Sequence, residues 1–122
     1  MLFRVTYNLI LSLSYPVLKF LGLFSYKIRL FILGRKEVFY QLDSLEVNKG
    51  DWVWFHVASL GEFEQARPLI YQYKLVFPMH KILLTFFSSS GYEIEKKFDA
   101  ADCICYLPWD TIKNVNQFPL QL

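Results

Sequence analysis

The first 36 residues of the chain contain no acidic side chain. Six bases fall in this stretch, and the first acid is Glu37. From there on, seven bases face eleven acids, so the overall charge of +2 conceals a positive start and a negative remainder. The acidic remainder excludes a nucleic-acid partner, because it offers no basic face. The basic, apolar start is typical of a segment that lies on an anionic membrane surface.

A long hydrophobic run is also missing. The longest uncharged stretch, residues 5–18, is 14 residues long and falls short of the ~20 residues needed to cross a bilayer. It therefore favours an interfacial or re-entrant segment. No cleavage site of the A-x-A type follows, which argues against a signal peptide. The apolar content is nevertheless high, at 54% with a mean hydropathy of +0.25, and a buried helical hairpin is the alternative.

The chain has only two cysteines, Cys103 and Cys105. Their spacing along one strand is too short for an unstrained disulfide. A C-x-C pair without a second pair or a flanking histidine is a weak metal signal. We therefore predict two buried free thiols and no metal site.

A chain of 122 residues holds one ordinary domain. Its pattern predicts a membrane-associated basic helical segment over residues 1–42, a polar linker over 43–51, and an incomplete Rossmann-like domain over 52–122. Within that domain, residues 52–57, 81–87 and 102–107 are predicted strands. Apolar residues at spacings of three and four, beginning at Phe63, predict an amphipathic helix between the first two. Alternating strands and helices indicate an α/β fold with a parallel sheet.

Three helix starts are predicted from capping patterns: Ser59 with Glu62, Ser90 with Glu93, and Asp110 before a short helix. In parallel sheets, ligands bind beyond the carboxyl ends of the strands, where helix N-termini offer free N–H groups. Loops 58–62 and 88–93 are therefore the expected location of any chemistry.

Four motifs occur in order along the chain. Residues 56–63 read H-V-A-S-L-G-E-F and are followed by Pro-Leu at 68–69; residues 84–91 read L-T-F-F-S-S-S-G; residues 106–110 read Y-L-P-W-D; and G-R-K stands at 34–36. Together they resemble the acceptor-side domain of 3-deoxy-D-manno-octulosonic acid (Kdo) transferases. The loop of the second motif departs from that family, which commonly has proline where Ser89 stands.

The resemblance implies the N-terminal half of a two-domain glycosyltransferase of the double Rossmann-like type. The donor would be CMP-Kdo, the acceptor a lipid A precursor, and the place of action the cytoplasmic face of the cell inner membrane, with no cofactor or metal. By resemblance Glu62 is the general base that removes the proton of the attacking hydroxyl. Its alternative role is simple helix capping. Seven further residues are candidates for substrate binding: His56, Ser59, Gly61, Arg67, Ser88, Ser90 and Gly91.

The family's later acidic motif and its CMP-Kdo domain have no counterpart in these residues. We therefore expect a fragment, missing the C-terminal nucleotide-sugar domain, that is inactive alone. Two alternatives remain: a non-catalytic membrane-attached module that binds a lipid A precursor or a partner protein, and a small membrane protein with a coincidental resemblance.

Overall fold

A computed structural model describes residues 1–23, 25–46 and 49–118. The elements, in chain order, are α1 (Leu2–Leu21), α2 (Tyr26–Lys36), α3 (Val38–Ser44), β1 (Trp52–Val57), α4 (Leu60–Val76), β2 (Lys81–Phe86), α5 (Ser89–Glu95), β3 (Cys103–Tyr106) and α6 (Ile112–Gln117). Part of the predicted linker, residues 47 and 48, and the last four residues of the predicted domain lie outside the described residues.

The three strands form a parallel sheet in the order β1-β2-β3. This confirms the predicted strands and their α/β arrangement. The central strand β2 is buried on both faces over its last five residues, which explains why four of those five are apolar, because parallel strands are covered by helices on either side.

One face of the sheet packs against α4 and α5. Phe63 and Ile70 of α4 lie fully buried against Ile82, Leu84 and Phe86 of β2. The predicted amphipathic stripe therefore faces the sheet as expected, and the helix continues through Pro68.

The opposite face is covered by α3 and by the end of α6. Val38 and Leu42 of α3 are fully buried and pack with Cys103, Cys105 and Phe118. Both cysteines are free and buried, as predicted. Because α3 extends to Ser44, it crosses the expected boundary at 42/43 and belongs to the packing of the sheet.

Helix α2 lies close to β3 because Gly34 has no side chain. A Cβ at this position would stand 2.0 Å from a ring atom of Tyr106, which is itself buried. The neighbouring Arg35 donates to the carbonyl of Phe31 at 2.8 Å and to that of Phe87 at 2.6 Å. Its guanidinium stacks 3.7 Å from the centroid of the Phe31 ring. Gly34 and Arg35 thus join α2 to the carboxyl edge of the sheet.

Helix α1 meets the body through polar contacts with the segment after β3. The Tyr7 hydroxyl donates to the Asp110 carboxylate, the Asn8 side chain accepts from the backbone N–H of Ile112 at 3.2 Å, and Trp109 donates to the carbonyl of Leu11 at 3.3 Å. No residue of α1 is buried. Within the described ranges, no helix combines the length and apolar character that a bilayer crossing requires.

Two predicted helix starts were wrong. Helix α5 begins two residues earlier than expected, because Ser88 and not Ser90 accepts the cap bond, from Gly91 N–H at 3.3 Å. At α6 the cap is Thr111, because the carboxylate of Asp110 is engaged by Tyr7. The Ser59 cap of α4 is confirmed.

Candidate active site

Backbone hydrogen bonds join the two loops that follow β1 and β2. The N–H of Phe87 donates to the carbonyl of Val57 at 3.2 Å, and the N–H of Ser88 donates to that of Ala58 at 2.9 Å. The loops in which chemistry was expected therefore lie side by side at the carboxyl edge of the sheet. Two helix N-termini, those of α4 and α5, start from this edge.

The Glu62 carboxylate folds back over the N-terminus of α4. Its Oε2 accepts from the backbone N–H of Ala58 at 2.6 Å, while its own N–H donates to Ser59 Oγ at 3.4 Å. A capping box would bond the N–H of Ser59, so Glu62 reaches one residue further back. The carboxylate thus lies at the N-terminus of the helix, where an acidic side chain stabilises the helix. Glu62 is exposed, so the carboxylate can leave this bond without displacing packed side chains.

His56 lies at the end of β1 and shares a hydroxyl with Trp54. Trp54 Nε1 donates to Thr85 Oγ1 at 2.8 Å, and His56 Nδ1 lies 2.9 Å from the same oxygen. Because the indole can only donate, the Thr85 proton can be given to Nδ1. In that arrangement the neutral imidazole carries its proton on Nε2.

Partial burial lowers the pKa of His56 from 6.5, although the backbone of Thr85 and the charge of Glu62 both act to raise it. The ring is therefore neutral at pH 7.

The N-terminus of α5 is more closely packed. Gly91 is buried, and a Cβ there would lie 2.8 Å from a ring carbon of Phe86 and 3.2 Å from the backbone nitrogen of Leu60. Ser88 is the cap, whereas Ser90 points an exposed hydroxyl from the first turn. Of the three candidates in this loop, Ser90 is the one with an exposed side chain.

Gly61 and Arg67 both lie on α4 but have different surroundings. Gly61 is exposed, and a Cβ there would meet only Ser59 Oγ at 3.9 Å. Arg67 forms ion pairs with Glu64 at 2.8 Å and with Glu95 of α5 at 3.1 Å. Arg67 thus links the two helices, and it would have to give up these pairs to meet a phosphate.

Over the described part of the chain, no group of three or more His, Cys, Asp or Glu side chains is placed to hold an ion.

Sequence reasoning missed two residues of this edge. Thr85 is a fully buried polar residue, which was noticed as part of the second motif but was given no role. Arg35 was noticed as part of G-R-K but was given no role. Its partners at Phe87 and Tyr106 lie more than 50 positions away and leave no local pattern.

Comparison with known proteins points to one family. Residues 32–121 match the model of a family described as 3-deoxy-D-manno-octulosonic-acid transferase (kdotransferase). A protein named 3-deoxy-D-manno-octulosonic acid transferase, from Aquifex aeolicus (strain VF5), is 38% identical over 81 residues, which is 66% of this chain and 22% of that relative. The chain thus spans less than a quarter of the relative's length. No solved structure matches. The family match covers most of the chain and includes Glu62 and both capped loops, so the chain belongs to the 3-deoxy-D-manno-octulosonic-acid transferase family.

Proposed function

We propose that this chain supplies the acceptor side of an enzyme that transfers Kdo from CMP-Kdo to a lipid A precursor. Family membership supports the type of reaction. The parallel sheet with two helix N-termini at one edge supports an acceptor site there, because ligands of such sheets bind beyond the carboxyl ends of the strands. Residues 52–122 would form part of one Rossmann-like half of a double Rossmann-like glycosyltransferase.

Glu62 is the general base in this proposal, and the observation that carries it is the position of its carboxylate. It is exposed at the helix N-terminus and held by one hydrogen bond, from Ala58 N–H. A general base must come within hydrogen-bond reach of the attacking hydroxyl, and geometry in an unliganded structure often differs from that in the complex. The carboxylate would swing from Ala58 to the acceptor hydroxyl, so that Glu62 caps the helix in the free state and acts as base in the complex.

The other candidate substrate-binding residues differ in the hydrogen bonds and ion pairs that they form in this structure. Ser90 would hydrogen-bond the acceptor through its exposed hydroxyl, and the Nε2–H of His56 would donate to a substrate oxygen. Arg67 would meet a phosphate only after releasing Glu64 or Glu95. Ser59, Ser88, Gly61 and Gly91 would shape the two helix N-termini against which the acceptor lies.

Residues 1–42 would hold the enzyme on the cytoplasmic face of the inner membrane. Six bases and no acid before Glu37 complement anionic lipid headgroups. The exposed apolar residues of α1, among them Phe3, Ile10 and Val17, would enter the interface between headgroups and acyl chains.

The donor CMP-Kdo would bind a nucleotide-sugar domain outside these 122 residues. We therefore expect the 122-residue polypeptide, mixed with CMP-Kdo and acceptor, to form no product. Product formation by this polypeptide would contradict that division of labour.

The test of Glu62 is the replacement Glu62→Gln in a full-length member of the family. A glutamine oxygen can still accept from the Ala58 N–H, so the cap is retained while the base is lost. We expect the transfer rate to fall by roughly 10²–10⁴-fold, with acceptor affinity unchanged. Glu64→Gln, the same change two residues along α4, is the matched control and should leave the rate unaltered, because exposed ion pairs contribute little. Normal turnover of Glu62→Gln would remove Glu62 from the mechanism.

A second candidate function, non-catalytic binding of a lipid A precursor, is favoured by the occupied state of Glu62, whose carboxylate serves as a cap in this structure. In that case Glu62→Gln would change neither acceptor affinity nor any transfer rate.

A further inference from the structure

An open apolar cleft of about 410 Å³ lies between α1, the carboxyl edge of the sheet and α6. Leu11 of α1 and Trp54 of β1 form two of its walls, and Leu107, Trp109 and Phe118 complete them. Its volume falls within the range of about 300–1,000 Å³ that is usual for small-molecule sites. The cleft is therefore large enough to hold a ligand.

Three polar side-chain groups that line the cleft already donate hydrogen bonds within the chain. The Tyr7 hydroxyl donates to the Asp110 carboxylate, the Asn114 amide donates to the carbonyl of Trp109 at 2.7 Å, and the Trp109 indole donates to the carbonyl of Leu11 at 3.3 Å. A peptide segment would bring backbone N–H and C=O groups that need hydrogen bonds. A hydrocarbon chain needs none, so the cleft suits a hydrocarbon chain better than a peptide.

The cleft shares a wall with the candidate active site. Trp54, which lines the cleft, donates to the Thr85 hydroxyl, and that hydroxyl also contacts His56. Glu62 in turn accepts from the backbone N–H of Ala58, two residues after His56. A ligand with its apolar part in the cleft would thus lie beside the group proposed as base.

Helix α1 separates this cleft from the surface proposed to meet the membrane. Its inner side, including Leu11, lines the cleft, whereas Ile10 and Val17 on other sides are exposed by 57% or more. The helix has no acid, so its outer side suits an anionic bilayer. A lipid that leaves the bilayer beside α1 would have only this helix between it and the cleft.

We propose that the cleft receives one acyl chain of the lipid acceptor. The proposal rests on the proposed function, because it takes the acceptor to be an acylated sugar phosphate. The acyl chain in the cleft anchors the acceptor, and the sugar hydroxyl of the acceptor then lies within reach of Glu62. The cleft is thus a site of acceptor selection by acylation, separate from the residues that carry out the transfer.

The test uses the tryptophans of the cleft as reporters. The 122-residue chain, kept soluble in amphipol, is titrated with 9,10-dibromostearate below its micelle concentration, because bromine quenches indole fluorescence at contact. We expect saturable quenching that is lost in the double variant Trp54→Phe/Trp109→Phe, whose remaining Trp52 does not line the cleft. Quenching that is absent, or that persists in the double variant, would overturn the proposal.

Two valine substitutions provide the matched comparison. Val115→Phe places a ring in the cleft from α6, and Val76→Phe makes the same change at the end of α4, away from it; both valines are at least half exposed. We expect at least tenfold weaker binding for Val115→Phe and unchanged binding for Val76→Phe. Val115→Ala, which widens the cleft, should retain binding and guards against simple loss of α6. Equal affinities for the two phenylalanine variants would contradict the assignment.

Competition with the brominated probe identifies which lipid supplies the acyl chain. An acylated glucosamine disaccharide phosphate should displace the brominated probe, whereas its deacylated form and phosphatidylethanolamine should not. Displacement by phosphatidylethanolamine as well would overturn the assignment to the acceptor. The result is independent of Glu62. A normal transfer rate for Glu62→Gln, together with the expected competition, would refute the proposed base alone. Failed competition, together with a large loss of transfer rate in Glu62→Gln, would refute the cleft assignment alone.

Discussion

The N-termini of α4 and α5 start from the same edge of one sheet and begin with the same device. In each, a serine accepts from the backbone N–H three residues later, Ser59 from Glu62 and Ser88 from Gly91. Their surroundings differ. The start of α4 is open, with Gly61 and Glu62 exposed, whereas the start of α5 is closed, with Gly91 buried against Phe86.

The difference shows why a capping pattern does not by itself mark a functional helix end. At α4 the residue three positions after the cap is an exposed carboxylate that can move. At α5 the same position is a glycine that allows the two helix starts to approach each other, with Leu60 of α4 as its near neighbour. We propose that the closed end holds the open end in place, and that the open end carries the chemistry.

The largest effect on folding should come from adding a methyl group at the closed end. Gly91→Ala places a Cβ within 2.8 Å of the Phe86 ring, and overpacking of this kind lowers the free energy of unfolding by about 1–3 kcal/mol. Gly61→Ala meets open space and should raise it by up to about 1 kcal/mol, because alanine is the better helix former. Urea unfolding of both variants measures the difference, and equal destabilisation would erase the contrast between the two ends.

Arg35 provides a second way to loosen the closed end. Its guanidinium donates to the carbonyl of Phe87, just before the Ser88 cap, and stacks on Phe31. Burial lowers the pKa of Arg35 to about 10, so it remains charged at pH 7. We expect Arg35→Ala to lower the free energy of unfolding by roughly 1–2 kcal/mol, the sum of stacking and hydrogen-bond losses.

Arg29, exposed on the same helix, is the control for Arg35. Arg29→Ala should change the unfolding midpoint little. If it destabilised as much as Arg35→Ala, the effect would belong to the charge of α2 and not to the contact with the loop.

The two serine caps should differ in how much each contributes to the free energy of unfolding. Replacing a serine cap by alanine costs about 1 kcal/mol. We expect Ser88→Ala to show this loss in full and Ser59→Ala to show less, because the Glu62 carboxylate still satisfies the Ala58 N–H and still faces the positive helix end. Chemical denaturation of the two variants measures both losses in the free energy of unfolding. A larger loss for Ser59→Ala than for Ser88→Ala would contradict this expectation.

The smallest effect should be the pH dependence that His56 contributes. Burial holds its pKa below 6.5 in the folded chain, so the unfolded chain binds the proton more readily, and the free energy of unfolding falls as the pH drops below 6.5. His56→Gln should remove this part of the slope. The free energies of unfolding of the two proteins, plotted against pH from 8 to 5, should run parallel above pH 6.5 and diverge below it. Parallel curves throughout would show that His56 is not held neutral by folding.

The strands and the amphipathic helix could be predicted because each depends on a local pattern. The strand at 81–86 is mostly apolar and contains β-branched and aromatic residues, and the stripe that begins at Phe63 follows the helical period. The start of α5 was misplaced because three consecutive serines offer equivalent caps, and the choice of Ser88 depends on the packing of Gly91 against Phe86.

Contacts between distant parts of the chain left no comparable pattern. Tyr7 and Asp110 are 103 positions apart, yet their bond takes Asp110 away from the cap that its sequence position suggested. Arg35 and Phe87, 52 positions apart, tie a basic helix to the site. The proposed acyl cleft depends on the same long-range packing of α1 against the segment after β3, so its position could not be read from residues 1–36 alone.

We propose that the open end performs the chemistry and that the closed end supports it. The transfer rates of Glu62→Gln and of Gly91→Ala test this in a full-length family member, measured well below both unfolding midpoints with saturating acceptor. We expect a loss of roughly 10²–10⁴-fold for Glu62→Gln and a far smaller loss for Gly91→Ala. A normal rate for Glu62→Gln would contradict the proposal, as would an equal loss in the two variants.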